Sequence, residues 1–167
     1  MTLITKVFHF ARRATRKFMS DPREALLLCR MAWWVSVLSV AARCCSLPRA
    51  LGIVAGKTTN PTRPADVNAP EHLARAIDLL LSADVLLFKP ICWKRAAVLH
   101  RYLSRRGTAT RIIFGVRNEA GGAVAGHAWL EADGEPILET APPEYVVTYR
   151  FPSSESLDPQ LAALRYE

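Results

Sequence analysis

Three residue types that together can break an amide bond occur in order along the second half of the chain: a thiol, an imidazole and a carboxylate. Cys92 opens the stretch CWKRAAVLHRYLSRRG (92–107), whose apolar spacing predicts a single helix. Unpaired backbone N–H groups and the positive dipole end at a helix start favour a thiolate over a thiol. Such a nucleophile needs a base, and the base needs an orienting acid. His127 and Glu139 are the candidates for these two roles.

The histidine lies in a predicted hairpin, and the first of two possible registers does not pair it with an acid. The stretch AVAGHAWLE (123–131) alternates as a strand does, and EPILET (135–140) predicts the strand that follows. Asp133-Gly134 between them is a hairpin signal. If these two residues alone form the turn, His127 lies opposite Thr140.

The second register pairs the histidine with Glu139. A three-residue loop with Gly134 in the left-handed bulge position sets His127 directly opposite Glu139, with Cβ atoms about 5 Å apart. Asp133 is the rival acid, but it lies at the hairpin tip, about 20 Å along the strand from His127. Its expected role is to make the turn. Trp129, two residues from His127 on the same strand face, either walls a site or packs in the core.

The spacing of apolar residues changes at Gly107, from the helical period before it to the alternation of strands after it. Gly107 itself suits the left-handed position that ends a helix. Helices are predicted over 3–18, 20–43, 70–88 and 92–107. Strands are predicted over 109–117, 123–131, 135–140 and 144–151. Helices followed by antiparallel strands predict an α+β fold, in which a cysteine-bearing helix packs on an antiparallel sheet.

The domain prediction separates a basic N-terminal segment from the rest. Of the 22 Lys and Arg residues in the 167-residue chain, nine lie in residues 1–49 beside two acids, so the net charge of +7 belongs to this segment. We predict an N-terminal helical arm (1–55), a proline-rich linker (56–70), a catalytic core (71–152) and a C-terminal tail (153–167). Basic charge without a recognition motif does not predict a nucleic-acid function.

The four cysteines are scattered, with no CxxC pair and no Cys/His cluster at zinc spacing. The pattern therefore predicts neither a metal nor an organic cofactor, and a reducing, cytoplasmic setting fits it best. The apolar stretch 25–42 contains Arg30, which argues against a membrane span and favours a buried or partner-docking helix. A peripheral membrane contact is the less favoured alternative.

The order cysteine, histidine, acid is that of papain-like and transglutaminase-like enzymes, and the run 92–139 resembles one family among them. It is similar to the transglutaminase-like B2 proteins of lasso peptide biosynthesis, and so to the C-terminal half of the microcin J25 maturation protease. The family's motif positions are matched by Cys92, Arg105-Arg106-Gly107, Gly115-Val116-Arg117, His127-Ala128-Trp129, Asp133-Gly134 and Glu139. Two departures are Glu139, where the family usually has Asp, and Trp93-Lys94, where Leu-Pro is commoner.

The resemblance implies a cysteine peptidase with the catalytic triad Cys92, His127 and Glu139. Its substrate would be a ribosomally made precursor peptide, whose leader it removes before a separate ATP-dependent lasso cyclase closes the ring. A leader-recognition protein (B1) would deliver the precursor in trans, because the first 70 residues lack the strands of such a domain. The alternatives are a transglutaminase-like acyltransferase, with an amine as acceptor, and a non-catalytic peptide-binding module.

Overall fold

The computed structural model describes residues 22–55, 69–82, 88, 91–119, 121–139 and 143–152. Helices come first and an antiparallel sheet follows, so the predicted α+β class is confirmed. The helices are α1 (Pro22–Cys44), α2 (Leu47–Ala55), α3 (Ala69–Leu81) and α4 (Cys92–Ser104). The strands are β1 (Thr110–Asn118), β2 (Val124–Ala132), β3 (Glu135–Ile137) and β4 (Val146–Phe151). The predicted helix 3–18, the tail 153–167 and nearly all of the linker lie outside the described residues.

One hydrophobic core joins the helices to the sheet. Met31 and Leu38 of α1 are fully buried, and they belong to the same cluster as Leu99 of α4 and Ile112 of β1. Burying a side chain of this size stabilises the fold by about 1.5–3 kcal/mol. The helices within residues 22–55, in the predicted arm, therefore contribute to the core on which the cysteine-bearing helix packs.

A buried arginine ties α4 to α1 and α2. Arg101 is 5% exposed, and its guanidinium carbon lies 3.5 Å from the ring centroid of Trp34 in α1. Its Nη1 donates a hydrogen bond to the carbonyl of Val54, near the end of α2, where helix carbonyls lack partners within the helix. Burial lowers the pKa of Arg101, and Arg105 adds to the lowering, although a guanidinium stays protonated in a protein.

Only one face of α1 enters the core. Its most apolar 18-residue window has a mean hydropathy of 1.8 and is 33% buried, so length and composition alone would allow it to cross a membrane. The core face agrees with the prediction of a buried helix. On the outer face, Leu26, Trp33 and Val40 recur every seven residues and are all more than half exposed.

Helix α4 begins at Cys92 and stops where the sequence indicates. The Thr108 amide donates to the Leu103 carbonyl over 3.1 Å, and the Gly107 amide donates to Ser104 over 3.2 Å. This is the Schellman pattern, which needs a left-handed residue, and Gly107 has φ 89°. The ending turns the chain directly into β1.

The sheet has the strand order β3-β2-β1-β4, and each neighbouring pair is antiparallel. The β2–β3 hairpin pairs Ala132 with Glu135 across a two-residue turn, in which Asp133 has φ 52° and Gly134 has φ 87°. Two positive φ values are typical of a type I′ turn. The hairpin therefore adopts the first of the two registers considered above, and the three-residue loop is not formed.

Candidate active site

The histidine of the predicted triad is held at the middle of the sheet. His127 lies in β2 directly across from Gly115 of β1. Its side chain is 27% exposed, so the imidazole is shielded but still reachable from solvent. The backbone of β2 that carries His127 is held rigidly on one side, because β2 is paired to β1 along its whole length.

The imidazole is hydrogen-bonded to the predicted acid. His127 Nε2 lies 3.0 Å from Glu139 Oε2, and the Glu139 side chain is 18% exposed. An ionised carboxylate only accepts hydrogen bonds, so the imidazole must donate from Nε2. In the neutral histidine the lone pair then belongs to Nδ1, which makes no hydrogen bond within the described residues. The pair thus supplies an oriented base with a free nitrogen.

The route by which Glu139 reaches His127 differs from the predicted one. In the observed register, a regular continuation of β3 would put residue 140 opposite His127 and turn Glu139 to the other face. Strand β3 instead ends at Ile137, and Leu138 adopts φ 61°, outside the extended region. This one residue breaks the alternation and returns the Glu139 carboxylate to the face of His127. Asp133, the rival acid, stays exposed in the turn.

The cysteine occupies the first turn of α4. Cys92 is partly buried, and Ile91 before it offers no side-chain cap. The amides of Lys94 and Arg95 donate to the Ile91 carbonyl over 3.1 and 3.3 Å. The amides of Cys92 and Trp93 have no acceptor among the residues described, so they are available to an anion. A thiolate or an oxyanion at this turn would also meet the positive end of the helix dipole.

An arginine one turn after the cysteine links α4 to the His127–Glu139 pair. Arg95 Nη1 lies 3.4 Å from Glu139 Oε1, and Nη2 donates to the Leu138 carbonyl over 3.2 Å. Residues three apart on a helix are neighbours on its surface, so Cys92 and Arg95 share one face of α4. Within the described part of the chain, the structure joins His127 to Glu139 but shows no hydrogen bond between Cys92 and His127. The imidazole and Arg95 therefore share one acid, and Cys92 stands one turn before Arg95 on α4.

Two aromatic rings flank the imidazole. Trp129 stacks on His127 with a centroid distance of 6.0 Å and an interplanar angle of 17°, and Tyr145 lies 5.3 Å away at 34°. Trp129 is 3% exposed, so it both packs in the interior and walls the site. Gly115 makes room for the rings, because a Cβ there would lie 2.7 Å from the Tyr145 Cβ. The rings limit the directions in which the imidazole can turn.

The sequence analysis did not select Arg95 or Tyr145. Arg95 carried a usable signal, since a residue three positions after a helix-opening cysteine shares its face. Tyr145 carried none, because its position depends on how the chain enters β4. Within the described ranges, no group of three or more His, Cys, Asp or Glu side chains converges to hold a metal ion.

Comparison with known proteins agrees with this architecture. A family model described as the transglutaminase-like superfamily matches residues 34–150, which is well over half of the chain. The match begins within α1 and ends within β4, so it spans the helical core, the cysteine-bearing helix and the sheet. Neither the search of curated proteins nor the search of solved structures returned a match.

Proposed function

Because this chain belongs to the transglutaminase-like superfamily, we propose that it is a cysteine peptidase that removes the leader from a lasso peptide precursor. The superfamily fits a core of the cysteine peptidase or acyltransferase type. The observation that carries the proposal is the His127–Glu139 hydrogen bond, which leaves Nδ1 free, on an acid that is also held by Arg95 of the helix that Cys92 opens. The choice of a lasso precursor rests on the resemblance of residues 92–139 to the B2 proteins.

In the proposed mechanism, His127 Nδ1 takes the thiol proton and the Cys92 sulfur attacks the carbonyl at the leader–core junction. The oxyanion of the tetrahedral intermediate accepts hydrogen bonds from the Cys92 and Trp93 amides. The imidazolium then protonates the departing amine, which frees the core peptide and leaves the leader as a thioester on sulfur. Glu139 holds the tautomer of His127 and stabilises its charged form.

The second half of the reaction restores the enzyme. His127 Nδ1 removes a proton from water, the hydroxide adds to the thioester, and the thiolate leaves with a proton from the imidazolium. The products are a leader with a new carboxylate and a core with a free amine. If an amine replaced water at this step, the same three residues would make an amide, which is the acyltransferase alternative.

The test combines the protein, a lasso precursor and the leader-recognition partner, with the products weighed by mass spectrometry. We expect cleavage by the natural chain, none by Cys92→Ala, and a loss on the order of 10³-fold or more for His127→Ala. Cys45→Ala is the matched control, because Cys45 is a free thiol just after α1 and away from the other predicted site residues, and it should cleave normally. Equal cleavage by Cys92→Ala would refute the mechanism, and a product mass showing a new amide would favour acyl transfer.

We propose further that the outer face of α1 receives the leader-recognition protein. Leu26, Trp33 and Val40 expose 57%, 66% and 52% of their surface, and Arg30 and Arg43 beside them are exposed. An apolar stripe with cationic edges fits a partner surface that is apolar with an acidic rim. Exposed tryptophans are typical anchors of such contacts.

The docking surface is tested by measuring the affinity of the partner for Trp33→Glu and for Val124→Glu. Val124 is the matched control, since it is 64% exposed on the sheet, away from α1. Loss of a tryptophan anchor should weaken partner binding by about 30-fold or more, while the control stays within about twofold. Unchanged partner affinity, together with lost binding to vesicles containing phosphatidylglycerol, would assign this face to a membrane instead.

A further inference from the structure

The Arg95 side chain connects three elements of the site. Its Nε lies 2.7 Å from Asp78 Oδ1 of α3, and Nη2 lies 3.4 Å from Oδ2 of the same carboxylate. Nη1 lies 3.4 Å from Glu139 Oε1, and Nη2 donates to the Leu138 carbonyl over 3.2 Å. One planar guanidinium on the cysteine-bearing helix thus holds α3 and the segment after β3.

The segment that carries Glu139 leaves the sheet, although Ile137 and Leu138 before it pack against the hydrophobic core. Strand β3 is three residues long and lies at the sheet edge, and Leu138 leaves the extended region at φ 61°. Glu139 is therefore not part of the strand ladder. Among the described residues its carboxylate has two polar partners, His127 through Oε2 and Arg95 through Oε1. Each oxygen is committed to one partner, which fixes the plane of the carboxylate.

The charges balance when the histidine is protonated. Arg95 and Asp78 form a close pair, so the guanidinium adds little net positive charge beside His127. Glu139 then faces the imidazolium as its counter-ion. A lone cation at the position of Arg95 would instead repel the imidazolium that forms during the reaction. The Asp78 pair therefore allows an arginine to hold the acid without disfavouring the charged histidine.

We propose that Arg95 is a positioning residue, which locks the Glu139 carboxylate against His127 and ties the acid-bearing segment to the helix of Cys92. The inference rests on the proposed function, since it deepens the account of the same three residues. A fork-shaped donor is required, because it must reach two carboxylates and a carbonyl at once. A lysine at this position keeps the positive charge but lacks the planar set of N–H donors that contacts several acceptors at once.

The first measurement is the kinetics of leader removal by Arg95→Ala, Arg95→Lys and the matched control Arg75→Ala. Arg75 is an exposed arginine of α3, one turn before Asp78, so its removal changes the same local charge without touching Glu139. We expect kcat to fall roughly tenfold for Arg95→Ala, well below the ~10⁴-fold loss from disabling a triad acid, with KM within about threefold. Arg95→Lys should recover part of the loss, and Arg75→Ala should match the natural chain.

The second measurement needs no substrate. A Cys92 thiol served by the oriented base His127 should react with iodoacetamide faster than a thiol without a base at the same pH. Site-resolved mass spectrometry should show Cys92 alkylating faster than exposed Cys29, and about tenfold slower in Arg95→Ala than in the natural chain. Circular dichroism checks that each variant is folded. If Arg95→Ala does not fold, the comparison is made with Arg95→Lys instead.

The outcomes separate the two proposals. Slower Cys92 alkylation in folded Arg95→Ala supports the positioning role even if no precursor is cleaved, in which case the peptidase function alone fails. Natural kcat and alkylation in Arg95→Ala, with cleavage still abolished by Cys92→Ala, overturn the positioning role and leave the function standing. A change confined to KM would mean that Arg95 contacts the substrate, which also overturns it. Equal alkylation of Cys92 and Cys29 in the natural chain overturns both.

Discussion

Acid should unfold this protein largely through one buried imidazole. His100 in α4 is 6% exposed, its Nδ1 lies 2.8 Å from Thr110 Oγ1, and its ring meets Phe151 edge-on at 6.0 Å. Burial lowers the pKa of His100 from 6.5 to about 4. His100 therefore becomes protonated near pH 6.5 in the unfolded chain, but only near pH 4 in the folded chain.

The sign and size follow from this difference. The unfolded state binds more protons, so the contribution of His100 to stability is complete above pH 6.5 and is lost as the pH falls toward 4. At about 1.4 kcal/mol per pH unit, the full loss is about 3 kcal/mol, of which about 2 kcal/mol is gone by pH 5. A loss of this size is a large fraction of the stability of a typical domain.

The assay is urea unfolding followed by tryptophan fluorescence at pH 7.5, 6 and 5, for the natural chain and for His100→Gln. The variant is expected to be less stable at pH 7.5 but to lose about 2 kcal/mol less on acidification, because its amide does not titrate. His72→Gln is the control, since His72 pairs with Glu24 in a partly exposed position and its removal should leave the acid loss in place. Parallel loss of stability in the natural chain and in His100→Gln would refute the reasoning.

Two further predictions concern the frame around His127. Gly115→Ala should cost about 1–3 kcal/mol in urea unfolding and lower kcat, because the new Cβ would displace Tyr145, whereas Gly126→Ala, whose nearest contact is 4.0 Å away, should be neutral. Leu138→Val should cost about 1–3 kcal/mol and release Glu139 from the site, because a β-branched residue resists φ 61°. Leu138→Gly should keep cleavage, and the reverse ranking of the two Leu138 variants would contradict the role given to this turn.

Much of the fold follows from local patterns in the sequence. The predicted strand 109–117 is observed as Thr110–Asn118, and 123–131 as Val124–Ala132, each displaced by one residue. The helix ending at Gly107 was also predictable, because glycine is the residue that the left-handed position favours. These features depend on period and on single residues, both of which are readable without tertiary information.

The structural features that local patterns did not predict depend on contacts between residues far apart in the sequence. No helix was predicted between residue 43 and residue 70, yet α2 begins at Leu47, because Pro48 is acceptable in the first turn, where its missing N–H costs nothing. The sequence left two hairpin registers possible. A leucine at position 138 gives no indication of a positive φ. Its positive φ brings Glu139 to His127 and Arg95, and no periodicity encodes these contacts.

The Arg101 guanidinium, which lies between Trp34 and the Val54 carbonyl, limits how this protein can be divided into fragments. Excising residues 1–55 would remove both contacts of Arg101 and would expose the apolar side chains that α1 and α2 cover. Large newly exposed apolar surfaces promote association, so such a fragment should aggregate. The smallest autonomous unit therefore extends from α1 through β4, and roles for the outer face of α1 must be sought by point substitution.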